Sequence, residues 1–150
     1  MKVVIAAIGR AKASPELQLY HDYIKRIPYA VECREFDIKH SDIAQRKIKE
    51  GEQLLAACKG AHRIVALDET GRQHSSREFA EQLKDWQGQG HSSYTFIIGG
   101  ADGLDKPVRQ AAHMLWSFGR VTWPHMMVRA MLAEQLYRAH TINSGHPYHK

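Results

Sequence analysis

The chain has 150 residues, 43% apolar and 25% charged, a size for one domain with a real core and a composition outside the range of disordered chains. Its apolar stretches fall far short of the roughly 20 residues that carry a helix across a bilayer, which argues against a membrane-spanning helix. The formal net charge is +5.

Residues 2–8 are an apolar run of strand length, preceded by none of the charged and cleavable segments of a secretory signal, so a cytoplasmic protein is expected. Ser14-Pro15 then reads as an N-cap followed by proline at the first helical position, and Tyr20, Tyr23, Ile24 and Ile27 recur at helical spacing until Pro28. Residues 31–38 form a second strand. A second helix runs from Ser41 to about Cys58 with Ala44, Ile48, Leu55 and Cys58 on one face. Residues 63–67 are a third strand. Ser75 and Glu78 stand in capping-box register ahead of Phe79, Leu83 and Trp86. A fourth strand covers 94–98, a short helix begins near Asp105, and a fifth strand covers 114–118.

A long last helix opens at Pro124 and continues to about Ala139, with Val128, Met131, Leu132, Leu136 and Ala139 as its apolar stripe. His125 and Arg129 border that stripe on one side, Glu134 and Arg138 on the other. Strands alternating with helices predict an α/β fold, one domain over residues 1–150, with a mostly parallel sheet and helices on both faces.

Ligands of such folds gather at the carboxyl ends of the strands, here the segments after Leu67, Ile98 and Phe118. The fourth strand runs into Gly99-Gly100-Ala101-Asp102-Gly103, whose glycines allow backbone to approach a ligand closely or simply make a tight turn. The chain has neither GxGxxG nor GxxxxGK[ST], so no dinucleotide or ATP site is supported. Cys33 and Cys58 make no CxxC or zinc spacing and read as reduced thiols, and no metal is expected.

Basic and acidic residues balance over residues 1–105. The whole positive excess lies in 106–150, where Lys106, Arg109, Arg120, Arg129, Arg138 and Lys150 face the single acid Glu134. An excess confined to one end suits a polyanion, because lysine and arginine neutralise phosphate; a basic surface without a partner is the alternative. The tail His146-Pro147-Tyr148-His149-Lys150 carries an aromatic ring, two imidazoles and a lysine, suited to base stacking, proton transfer and phosphate contact. A frayed terminus is the plainer reading.

Four segments together resemble the ribosomal RNA large-subunit methyltransferase H family, of the SPOUT class of trefoil-knotted methyltransferases: residues 97–104, residues 121–125, Arg129 with residues 134–139, and residues 146–150. The resemblance runs the length of the chain, through Gly51-Glu52-Gln53 and residues 63–68, with motifs in the same order and spacing. It implies methylation, from S-adenosylmethionine, of ring N3 of a pseudouridine in 23S rRNA on the assembled ribosome, by a homodimer, with no role for DNA. Family cofactor positions fall on Leu67, Gly99, Phe118, Gly119, Arg120, Val121, Thr122 and Trp123, at the three strand ends chosen by the sheet rule. Family members commonly carry serine where this chain has Gly119.

Among the remaining positions, His149 is the candidate base, since imidazole exchanges protons near neutrality. Arg129 or Arg138 would favour a deprotonated ring, and Glu134 reads as the orienter of Arg138. Tyr148 and His149 are expected to reach a neighbouring subunit's cofactor site. The competing reading is a ribosome- or RNA-binding module without chemistry; a hydrolase lacks a recognisable nucleophile turn.

Overall fold

A computed structural model describes residues 1–150. In chain order the elements are β1 (Lys2–Ile8), α1 (Pro15–Ile24), β2 (Ala30–Phe36), α2 (Ile43–Ala57), β3 (Arg63–Gln73), α3 (Ser76–Gly88), β4 (Ser93–Ile98), α4 (Lys106–Ala111), β5 (Met114–Ser117) and α5 (His125–Ser144), followed by a 3₁₀ turn at Pro147–His149. The five strands make one all-parallel sheet in the order β2-β1-β4-β3-β5. No helix is long and apolar enough to cross a membrane.

Burial on both faces explains the continuous apolar runs of β1 and β4, since a central parallel strand meets helices above and below. Along β1, Val3, Ile5 and Ala7 join the core formed with α1, α3 and α5. Ala6 and Ile8 point the other way, into the smaller core of α2 and α4. Ser14, Asp42 and Ser75 cap α1, α2 and α3, and the reciprocal Ser75–Glu78 capping box forms.

Several element boundaries differ from the sequence reading. The strand expected at 31–38 ends at Phe36. β3 continues to Gln73 because it leaves the ladder and returns: Leu67 and Arg72 both pair with Trp116, so residues 68–71 bulge from the sheet. α5 runs on to Ser144 and stops at Gly145, which takes the left-handed conformation of a helix C-cap. Its buried face includes Ala130 and Ala133 beside Leu132, Leu136 and Ala139, because α5 is wedged between α1 and α3 as well as against the sheet. Small side chains let helices approach on both flanks.

The start of α5 is fixed far from β5. Arg129, 2% exposed, donates to Glu35 Oε1 at 2.6 Å, to the carbonyl of Gly9 at 2.6 Å and to that of Ile8 at 3.3 Å. It therefore plants α5 over the ends of β1 and β2 while β5 lies at the opposite edge. Residues 118–124 must cross the carboxyl ends of the sheet to join them.

Candidate active site

That crossing segment roofs a cavity of about 770 Å³ at the strand ends. Its wall gathers Leu67 from β3, Ile98 from β4, the turn at 99–104, and Phe118, Gly119, Val121, Thr122 and Trp123 from the crossing segment. Seven of the eight cofactor positions expected from sequence thus come together; Arg120 is the one that does not line the cavity.

Two local devices shape the roof. Trp123 Nε1 donates to the carbonyl of Phe118 at 3.2 Å, closing the segment into a loop. Gly119 has φ +116°, a conformation that disfavours any side chain here, and its N–H donates to Ser117 Oγ at 3.1 Å. The bulge of β3 supplies the opposite wall. Thr122 Oγ1 donates to Glu69 Oε2 at 3.0 Å, tying roof to bulge.

The cavity's charges are mostly paired. Arg109 from α4 bridges to Asp68 and also donates to Thr70 Oγ1 at 3.1 Å. Burial pushes the Asp68 carboxyl up, but hydrogen bonds from Thr70 and Arg109 outweigh it and hold it below the usual range. Arg46 from α2 binds Asp102 at 2.5 Å. Glu69 has no cation against it, and Lys47 stands unpaired at the wall. Asp68, Glu69, Lys47, Asp102 and Arg109 were not among the expected site residues. The strand-end rule points to Asp68 and Glu69, which directly follow Leu67, but nothing in the sequence brings α2 and α4 to the same wall.

The wall suits S-adenosylmethionine. Leu67, Ile98, Val121 and Val128 offer apolar surface for a purine. The main-chain N–H groups of Ala101 and Asp102 donate to no protein acceptor, and the buried Trp116 Nε1 is also without a partner. The two main-chain donors, with the Glu69 carboxylate facing no cation, match a ligand with an adenosyl group and an amino-acid end, in a volume typical of cofactor sites.

The expected catalytic residues lie elsewhere. Arg138 donates through Nε at 2.8 Å and Nη2 at 2.5 Å to Glu134 Oε1. The same oxygen accepts from the Tyr148 hydroxyl at 3.1 Å, and Tyr23 lies at 3.1 Å from that hydroxyl. Arg138 also stacks over the Tyr148 ring at 5.0 Å. Burial, with the hydrogen bonds of Tyr23 and Glu134, raises the Tyr148 phenol well above its ordinary value. His149 sits in the 3₁₀ turn with Nδ1 buried and unpartnered. These four residues occupy the α1–α5 surface beside a second cavity of about 510 Å³, which Tyr23 and Glu134 line. The two cavities share Trp116, Phe118 and Gly119 and so stand back to back. Arg129 belongs to neither group; its Nη1 and Nη2 donate to Glu35 and to the carbonyls at the end of β1, and its buried Nε has no partner.

A cavity roofed by a crossing loop at the carboxyl ends of a parallel sheet defines a class that the comparisons identify: residues 1–149 match the family model described as predicted SPOUT methyltransferase, and the chain belongs to that family. It is 48% identical to the ribosomal RNA large subunit methyltransferase H of Paramagnetospirillum magneticum, over all of this chain and 99% of that one. It is 43% identical to the protein of that name from Rhodospirillum centenum, over the same shares, and 45% to that of Methylocella silvestris. Among solved structures, a probable methylase family protein from Haemophilus influenzae superposes with a TM-score of 0.59 at 12% identity, covering 99% of this chain and 70% of that one. That likeness shows the fold alone.

Proposed function

We propose that this chain is a cytoplasmic, dimeric methyltransferase that transfers a methyl group from S-adenosylmethionine to ring N3 of a pseudouridine in 23S rRNA of the assembled ribosome, and that its C-terminal path is a trefoil knot. The observation that carries the reading is the convergence of seven motif positions on one cavity, in a chain whose full-length relatives bear the name of a ribosomal RNA methyltransferase. The return of α5 from one sheet edge to the ends of β1 and β2 supports a threaded path.

Bound in the cavity, S-adenosylmethionine supplies an electrophilic methyl group on a sulfonium. The residues of this chain provide the rest. Residues 99–103 with Phe118, Gly119, Val121, Thr122 and Trp123 would hold the cofactor, and positioning of this kind would supply much of the rate in a transfer that needs in-line approach. Ring N3 carries a proton that it must lose. His149 accepts it, and Arg138, held by Glu134, stabilises the anionic ring. Arg129, whose two terminal nitrogens bind Glu35 and main chain, acts by positioning α5.

The dimer completes the site. Tyr148 and His149 pack on the α1–α5 surface of their own chain, and Leu19 and Met127 on that surface are exposed apolar side chains, as are Val121 and Trp123 at the roof. An exposed apolar zone of this kind fits a second copy, which would bring its tail to the cofactor cavity. Saturating S-adenosylmethionine should raise the melting temperature, by about 2.7 kcal/mol of added stability at a hundredfold excess over the dissociation constant. No shift would favour an RNA-binding module instead.

A further inference from the structure

Glu50, on α2, is buried to 6% exposure. Its Oε2 has no hydrogen-bond partner and the residue takes part in no ion pair. Burial raises its affinity for a proton, with Arg46 opposing and Asp102 adding to the effect. An uncompensated carboxylate inside a protein is disfavoured, and the surroundings show what it faces. A Cβ at Gly100 would lie 3.4 Å from both carboxylate oxygens, so no side chain separates Glu50 from the turn whose other side lines the cofactor cavity.

The neighbouring charges do not neutralise it. Arg46, one turn earlier on α2, is committed to Asp102 at 2.5 Å. Lys47 lines the cavity wall, and Asp105, the N-cap of α4, approaches Gly51 with further negative charge. Arg46, Asp102 and Glu50 together leave one negative charge behind the turn. The methyl donor enters as a cation at sulfur; once the methyl has moved to N3 and the ring proton to the base, sulfur keeps its electron pair as an uncharged thioether.

We propose that Glu50 is the buried counter-charge of the methyl donor: from behind Gly100, without contact, it favours the cationic sulfonium over the neutral thioether product. The proposal rests on the reading of this cavity as the S-adenosylmethionine site. Attraction through a poorly screened wall extends beyond contact distance, and it disappears on methyl transfer, so the same residue weakens retention of product.

Calorimetric titration of S-adenosylmethionine and S-adenosylhomocysteine into the full chain, at mildly alkaline pH, tests this by the ratio of the two affinities. Glu50→Gln should lower the preference for the donor about threefold or more, while Glu50→Asp retains most of it. Arg46→Gln, which removes a compensating cation at a half-exposed position, should raise the preference. An equal effect of Glu50→Gln on both ligands, or a fall in the ratio for Arg46→Gln, would overturn the proposal. If the wild-type chain binds neither ligand, the cofactor reading fails first.

Discussion

His113 accepts a hydrogen bond at Nδ1 from the N–H of Ile64 at 3.0 Å, just before β5. Burial first, and Arg63 second, lower its proton affinity below the ordinary imidazole value. The unfolded chain therefore takes up the proton more readily than the folded one. The stability from neutral His113 is fully present above the unfolded pKa of about 6.5 and is lost as pH falls through the lower folded value. Denaturant midpoints measured between neutral and mildly acidic pH should show this loss, and His113→Asn should reduce its slope; an unchanged slope would remove His113 from the account.

Side chains of this kind were the least legible in sequence. Arg129 reads as a border residue on the helical wheel, and its burial depends on two carbonyls and a carboxylate near the start of the chain. The Glu134–Arg138 pair, four residues apart on one helix, needed only local geometry. What Tyr23 adds to it required the packing of α1 on α5.

Among the elements, the bulge of β3 does most to shape the cavity. A Cβ at Gly71 would stand 2.5 Å from the carbonyl oxygen of Leu115, where main chain cannot give way cheaply. Gly71→Ala should cost about 2 kcal/mol in urea unfolding and weaken cofactor binding as the bulge shifts. An unchanged midpoint would contradict the close approach. The sequence ended this strand at Leu67, because Asp68-Glu69-Thr70-Gly71 reads as a turn and local pattern does not reveal that the chain rejoins the ladder at Arg72. The strand ends themselves were legible, since parallel strands buried on both faces leave plain apolar runs, and a glycine-rich stretch after such a run marks close approach whichever ligand comes.

At the scale of the molecule, the alternation of strands and helices gave the layers, but not the order β2-β1-β4-β3-β5 or the path of residues 118–124 across it. Those depend on contacts distant in sequence, such as Arg129 with Gly9. Seen whole, the strand-end cavity and the Glu134–Arg138–Tyr148 cluster lie on opposite sides of Trp116 and Phe118, which is why the proposed reaction needs two copies. Mixed dimers test that need. His149→Ala should slow turnover while leaving S-adenosylmethionine binding intact, and Gly99→Val, whose side chain would collide with Leu104, should block the cofactor. Equal mixing of the two defective proteins should restore about a quarter of wild-type activity if tails serve the opposite subunit. No recovery despite subunit exchange would place each tail at its own site.

The most direct test of the central claim is transfer of labelled methyl from S-adenosylmethionine to ribosomes lacking the modification, with uridine-containing ribosomes in parallel and the product nucleotide identified by mass spectrometry. The account predicts label in N3-methylpseudouridine of 23S rRNA and little in the uridine control. Clear cofactor binding with no label on any ribosomal substrate would contradict it.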